Sequence, residues 1–566
     1  MNKNRFFYIL AWQNIVVVFM AVIVLFSASC NPARHIPENK YLLNKTKIKA
    51  DDKNINTSEL EPYLKQKPNR KMLMFFRFHL AMYNLSKRGK EKKWKKWIRK
   101  TIGEEPVIWD RHLTKQSKQQ LKLYLKNKGY YYAEVSDSIV FPEKQRVNVI
   151  YEIEANKPYT IREIKYEVDD NEIDSLIQAN RAESPLKKGI RFDVNILQNE
   201  RARIARMLKK NGYYNFTREY IFYKADTALE NYQVDVFVGI KPPVKRHWVE
   251  NGNEKPKHLK YKINEVQVYA DYDPKKALQL ENSYFGHFDT TRFSDEPLRN
   301  ILFFHEDEFV VKPITIAQGI YVYKDSLYNL TNVEETYRHL SSLGVFRLVN
   351  ITFTEIKNTG GGNGLLNCRI QLTPATQQSY SAELEGTNSS ANIGLAGNLV
   401  YRHKNLFRGA EMFDLKARTA LESQRDASED GKTFNTVEYG IESRIMLPKM
   451  LLPFFDRYNF TKRNDPKTII TLAYNYQRRP DYTRTIANTA IGYYWQSSRF
   501  VSHIIKPIDF NIVKLPTIDS AFIHSIKNYN IRYSYEDHLI FAANYSFIYN
   551  EQDIKKKRNF IYFRAN

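Results

Sequence analysis

Apolar residues recur along this chain in two distinct periods, and the order in which those periods alternate is its main structural signal. Three segments begin with helical spacing and then switch to strand alternation: residues 121–135, 203–222 and 334–353. In the first, Leu121, Tyr124 and Leu125 share a helical face, and the residues after the turn alternate. At each switch stands a glycine, Gly129, Gly212 or Gly344, in the position where a residue of positive φ would end the helix. A second apolar strand follows in each case, at residues 147–161, 232–243 and 365–375. Recurrence of one supersecondary unit predicts an array of small α/β modules. The expected spans are 41–157, 158–243 and 261–374, with a Lys-rich linker at 245–260 and a loop over most of 271–312.

From residue 379 the helical period ends. Segments of about ten residues alternate strictly, with Ile393, Leu395, Leu399 and Tyr401 on one face against Asn392, Asn398 and Arg402 on the other. Glu411–Ala420, Val437–Ile445 and five further segments repeat the pattern, giving about nine strands to the end of the chain. Charges on one face of every strand demand that this face be wet. Two folds meet that demand, a transmembrane barrel with a polar lumen and an antiparallel sheet with one solvated side.

The N-terminus bears on the choice. Lys3 and Arg5 precede twelve consecutive apolar residues, 15–26, and then Ser27, Ala28, Ser29 and Cys30. Twelve is too few for a spanning helix of roughly 20 and suits a secretory signal. The small residues before Cys30 resemble a bacterial lipoprotein cleavage box, although Ser27 stands where that pattern prefers leucine, and the resemblance implies a lipoprotein signal peptide at residues 1–29 with Cys30 as the acylated first residue of the mature chain. The alternative is an uncleaved anchor that also uses residues 6–10. Of the two cysteines, Cys368 remains as buried packing on a strand.

The net charge is +25 from 87 basic and 62 acidic residues, and 14% of residues are aromatic. An exported chain rarely meets nucleic acid, so acidic lipid is the partner class this charge selects. Nine of the fifteen residues 86–100 are Lys or Arg, and one, Glu91, is acidic. Lys92, Lys93, Trp94, Lys95, Lys96 and Trp97 form a candidate membrane-surface contact. The competing and slightly favoured reading is a solvated helix whose tryptophans pack on the first module. No catalytic motif is present: His305-Glu306 lacks a second histidine at zinc spacing, and the glycine run 360–364 reads as a hairpin loop. Neither a cofactor nor a metal is expected, and the chain does not read as an enzyme.

The export signal, the tandem modules with a Gly-Tyr-Tyr turn, and the segment GTNSSANIGLAGNLVYRHKNLFRGAE at 386–411 resemble the outer-membrane assembly-factor superfamily of BamA and TamA. The basic insertion at 67–110 resembles that of its lipidated TamL branch. The resemblance implies an α+β then all-β chain, with tandem βααββ POTRA-like modules followed by an antiparallel transmembrane β-barrel over 379–566. It implies an outer-membrane location with periplasmic modules. The implied partners are a TamB-like periplasmic protein, unfolded outer-membrane protein clients and outer-membrane lipid. The strand that pairs weakly with the barrel's last strand would be the one carrying Ser381, Glu383, Glu385 and Thr387. Sixteen strands of ~10 residues complete such a barrel, so an incomplete barrel with an open edge is expected. Two other functions remain open, a tethered structural fragment and a secretion pore of the two-partner type.

Overall fold

The computed structural model describes residues 36–72, 77–87, 89–143, 145–227, 231–243, 257–356, 363–389, 392–423, 435–452, 460, 462, 464–552 and 559–566. The expected signal peptide, Cys30 and most of the linker lie outside them. Two compact units divide the chain: Met1–Ala205 with Thr217–Pro242, and Arg206–Phe216 with Pro243–Asn566.

The first unit holds two three-stranded sheets of one topology. In the first sheet β1 (Leu42–Ala50) runs parallel to β3 (Arg146–Glu154), and β2 (Glu134–Val140) pairs antiparallel with the other side of β3. Four helices separate β1 from β2: α1 (Thr57–Leu60), α2 (Phe78–Ser86), α3 (Lys93–Thr101) and α4 (Arg111–Asn127). α4 starts where the Asp110 carboxylate accepts from the His112 N–H, satisfying a donor the helix leaves orphaned. It buries Thr114, Ser117, Leu121 and Leu125, one stripe at helical spacing, against the alternating Val147, Val149, Tyr151 and Ile153 of β3. The second sheet repeats the order as β4 (Thr160–Glu167), β6 (Gln233–Ile240) and β5 (Ile221–Asp226), with α5 (Asn171–Ala179) capped by Asp170 and followed by α6 (Val194–Lys210). Glu200 of α6, wholly buried, is held by Arg203 at 2.8 Å and by the Tyr166 hydroxyl at 3.0 Å, so its charge is compensated.

In the second unit a five-stranded sheet has the order β10-β11-β7-β9-β8. β7 (Tyr261–Tyr269) is parallel to β11 (Gly364–Pro374), whose other side takes β10 (Phe346–Ile356) in an antiparallel hairpin. α8 (Pro313–Gln318) and α9 (Leu330–Ser342) bring Ile316 and Leu340 into its core, where Cys368 is also fully buried. The loop expected over 271–312 is corrected here. That stretch contains α7 (Pro274–Leu280), β8 (Asp289–Arg292) and β9 (Ile301–His305), and β9 adds in parallel to the free side of β7. Its alternation, with Ile301 and Phe303 buried, is only five residues long.

The chain then enters an antiparallel meander of nine strands: β12 (Gln378–Ser389), β13 (Asn392–His403), β14 (Met412–Ser423), β15 (Thr436–Leu447), β16 (Lys467–Arg478), β17 (Tyr482–Ser498), β18 (Val501–Ile518), β19 (His538–Asn550) and β20 (Tyr562–Ala565). Among the described residues the sheet is open, with β12 and β20 each paired on one side. α10 (Ser520–Ser525) and α11 (Tyr529–Tyr533) lie between β18 and β19. No described helix is long and apolar enough to cross a membrane, which says nothing of strands.

Candidate functional site

The two faces of the nine-stranded sheet differ in chemistry. The register places Leu384, Leu399, Ile441, Leu472, Leu539 and Phe541 on one side, and they are 83%, 64%, 51%, 53%, 70% and 67% exposed. An apolar band of this extent is the kind of surface a hydrocarbon layer covers. The opposite face carries a ladder that crosses five strands. Glu385 accepts from Asn398 Nδ2 at 3.0 Å and lies 3.4 Å from Arg418, which faces Glu438 at 3.9 Å, and Glu438 accepts from Asn475 at 2.8 Å. Beside it Arg402 grips Asp414 with two nitrogens, at 2.6 and 3.1 Å. Ser381, Glu383, Glu385 and Thr387 all sit on this polar face of the edge strand β12.

Three helix-ending turns link one element to the next. Gly129, Gly212 and Gly344 have φ of +89°, +99° and +71°. The Gly129 carbonyl accepts from the Tyr159 N–H at 2.9 Å, just before β4. The Gly212 carbonyl, which belongs to the second unit, accepts from the Tyr261 N–H at 2.9 Å at the head of β7. The residue two places after each glycine packs on the same tyrosine: Tyr131 on Tyr159, centroids 5.4 Å apart, and Tyr214 on Tyr261, 5.8 Å apart. Tyr214 also meets Tyr328 and Phe353 edge-on or tilted, at 5.1 and 5.5 Å. Each such ring pair contributes about 0.5–1.5 kcal/mol beyond area burial. At the third turn Val345 O accepts from the Ala375 N–H at 2.8 Å, three residues before β12.

The β13–β14 turn is fitted to the five-stranded module. Arg408, with φ +64°, donates to the Phe309 carbonyl from two nitrogens and pairs with Glu308 at 3.0 Å, while its own carbonyl accepts from Lys312 N–H at 2.7 Å. Asn405 donates to Val310 O at 2.8 Å, and the Glu411 carboxylate accepts from the Gly409 and Phe407 amides. β15 ends and β16 begins at the same end of the sheet. From there Lys462 donates to Tyr323 Oη at 2.7 Å and Ile320 O at 3.1 Å, and burial lowers its pKa to about 8. The sequence alone assigns none of these side chains this docking role. The signal was local, a short Asn-x-x-Arg-Gly-x-Glu turn able to satisfy its own amides.

Free strand edges differ among the modules. β2 and β5 each pair on one side only. The start of β1 is partly covered, because Leu43 N–H donates to Val107 O and Arg77 donates to Asn44. In the five-stranded module the matching edge of β7 is filled by β9, and β10 and β8 are the two strands paired on one side only among the described residues. In α3, Trp94 is 48% and Trp97 59% exposed, so the expected packing of these rings on the module does not form. A run of charge keeps that helix from burying any residue. Lys92, Lys93 and Lys96 are exposed beside them, and Lys95, half-buried, donates to Lys90 O at 3.1 Å.

No protein of curated function matches the chain by sequence. Among solved structures, Haemophilus ducreyi BamA lacking POTRA domains 1–3 aligns at 12% identity over 70% of this chain and 60% of that one, TM-score 0.36. The Haemophilus influenzae BamA POTRA3-5 fragment aligns at 13% identity over 60% and 99%, TM-score 0.28, and CdiB from Acinetobacter baumannii at 9% over 70% and 66%, TM-score 0.24. The chain therefore spans about 60% of the length of that H. ducreyi protein. Residues 41–156, the first sheet with its four helices, match the POTRA family, described as Surface antigen variable number repeat.

Proposed function

We propose that the chain is a bacterial outer-membrane lipoprotein of a translocation and assembly module, anchored through Cys30, that receives unfolded outer-membrane proteins and assists their insertion. Its modules stand in the periplasm, and its work is mechanical and not enzymatic. The observation that carries this reading is the combination of a two-faced antiparallel sheet, apolar outside and polar inside, with α/β modules that offer free strand edges. An edge strand gives main-chain hydrogen bonds to any extended segment, and so accepts many clients without reading one sequence. Among the described residues β12 leaves a full edge of twelve residues unpaired, which supports its role as the strand on which a client, or a closing strand, pairs. A TamB-like periplasmic protein is the proposed partner, docking near the sheet.

The test is photo-crosslinking from the full chain in outer-membrane fractions, with the crosslinker at Ser381 or Glu383 of β12 and, as control, at Lys416 of β14. Adducts with nascent outer-membrane proteins from β12 alone are expected. Equal labelling from both strands, or none while the chain runs heat-modifiable on an unboiled gel, would refute the seam assignment.

A further inference from the structure

We infer that the exposed side of α3 is a docking surface for the anionic lipid headgroups of the leaflet that holds the Cys30 acyl chains; the inference rests on the lipoprotein reading. At 100° per residue, Lys96, Lys100, Lys93, Trp97 and Trp94 occupy one contiguous sector of this helix. All five are exposed, whereas Ile98, Lys95 and Arg99 on the opposite side are half-buried. That opposite side is fixed: Arg99 donates to Ser86 Oγ of α2 at 3.4 Å, and Ile102 O contacts His79 Nδ1 at 2.8 Å.

Arg99 and Lys100 suit the last turn of this helix, but the charge at its start and along its exposed side opposes its stability. Lys92 and Lys93 sit at the positive end of the macrodipole, and Lys92–Lys96, Lys93–Lys96 and Lys96–Lys100 are like-charge neighbours one turn apart. Lys92, Lys93, Lys96 and Lys100 make no ion pair among the described residues, and Glu91 is occupied by Arg99 at 3.1 Å. An anionic surface relieves all three repulsions at once. Two tryptophans in the same sector are the side chains that settle at a headgroup boundary, with an apolar body and a polar N–H.

Position selects lipid over other polyanions. Ile36 is buried with Leu42 and with Leu80 of α2, so the chain is stitched to this helical pair six residues after Cys30. Six residues span at most ~20 Å when extended. An acylated Cys30 thus holds α3 within reach of the bilayer.

The experiment uses the full chain reconstituted into vesicles containing brominated lipid, and takes the difference in tryptophan emission between wild type and W94F/W97F. The expected result is quenching of the Trp94 and Trp97 share with brominated phosphatidylglycerol. That quenching should be lost with brominated phosphatidylcholine alone and in K92Q/K93Q/K96Q/K100Q, whose substituted side chains are all exposed. Equal quenching in both lipids, or no change in the glutamine variant, would overturn the inference. Palmitate labelling of wild type against C30A separates it from the reading beneath it. Label without quenching would overturn the docking surface and leave the anchor standing, whereas quenching without label would sustain the surface and remove the anchor.

Discussion

Alanine at each of the three turn glycines separates backbone strain from collision. All three have positive φ, where a Cβ costs about 1–2 kcal/mol. Their surroundings differ. A Cβ on Gly344 would meet only Met412 Cε at 3.6 Å, an ordinary contact, so the cost there stays near ~1 kcal/mol. On Gly212 it would lie 3.3 Å from Lys260 Cβ and Cγ and 3.4 Å from Leu327 Cδ2, so these side chains must give way by a few tenths of an ångström and the cost rises to about 2 kcal/mol. On Gly129 it would lie 2.7 Å from the Phe192 carbonyl oxygen. That backbone is itself pinned by the Phe192 N–H to Tyr159 O bond at 2.8 Å, so relief requires breaking the joint, for about 3 kcal/mol in all. Amide hydrogen exchange on the full chain reads the joints directly, at Tyr159 for Gly129→Ala and at Tyr261 for Gly212→Ala. Since each 1.4 kcal/mol is about tenfold, the expected acceleration is roughly 100-fold at Tyr159 and roughly 20-fold at Tyr261. Ala375 in Gly344→Ala should speed up by less than about tenfold. Equal acceleration at the three sites, or the reverse order, would refute the claim that the neighbour and not the φ angle sets the rank.

Substitutions at two further positions test the second unit. Asp271 is half-buried with its Oδ1 buried and unpartnered, and desolvation raises its pKa from 3.8 to about 6 despite the Glu306 amide. The folded state then binds the proton more tightly, so this carboxylate penalises folding above pH 6, and the penalty fades as pH falls from 6 towards 3.8. Asp271→Asn should stabilise at pH 7 by about 1–2 kcal/mol after allowance for partial exposure, with little gain at pH 4, as read by urea unfolding. Arg408→Ala removes the bonds to Phe309 O and should accelerate exchange of the Lys312 amide roughly tenfold. Arg408→Gly, which relieves the positive φ, should recover part of the stability, and a glycine variant worse than alanine would show that the angle is not strained.

How far the sequence speaks depends on whether a feature is periodic. The helix-to-strand switches at 121–135, 203–222 and 334–353 and the alternation after residue 379 are long enough to establish the fold class, tandem α/β modules followed by a nine-stranded antiparallel sheet. Features made by short or non-local pairing stay hidden. β9 offers only Ile301 to His305, too few positions to separate a strand from an apolar loop, and its place beside β7 depends on a partner thirty-five residues away. The polar ladder was half legible: alternation says which face Glu385, Arg418 and Glu438 take, but their contacts run diagonally across the register, which no single strand encodes. The rings of Trp94 and Trp97 were expected to pack and do not, because hydrophobic content alone says nothing about whether a lysine-rich helix can bring those rings to a surface.

The third turn departs from the other two in a way that bears on mechanism. After Gly129 and Gly212 come paired tyrosines, of which Tyr131 packs on Tyr159 just before β4 and Tyr214 on Tyr261 at the head of β7, while after Gly344 come Val345 and Phe346. The strands that follow there are β10, β11 and then β12. Val345 O instead binds Ala375 N–H, at the root of β12, and Phe346 is itself the first residue of β10. The neighbouring Arg408 turn fastens the base of β13, β12's only partner among the described residues, to the segment that leads into α8. The edge strand and its partner are therefore held by different parts of one module, β12 through the end of α9 and β13 through residues 308–312. A small shift between those two parts would be felt first as shear between β12 and β13, where twelve residue pairs and the Glu385–Asn398 bond resist it. On the proposed function, that is where a modest displacement in the module alters how readily the edge accepts another strand.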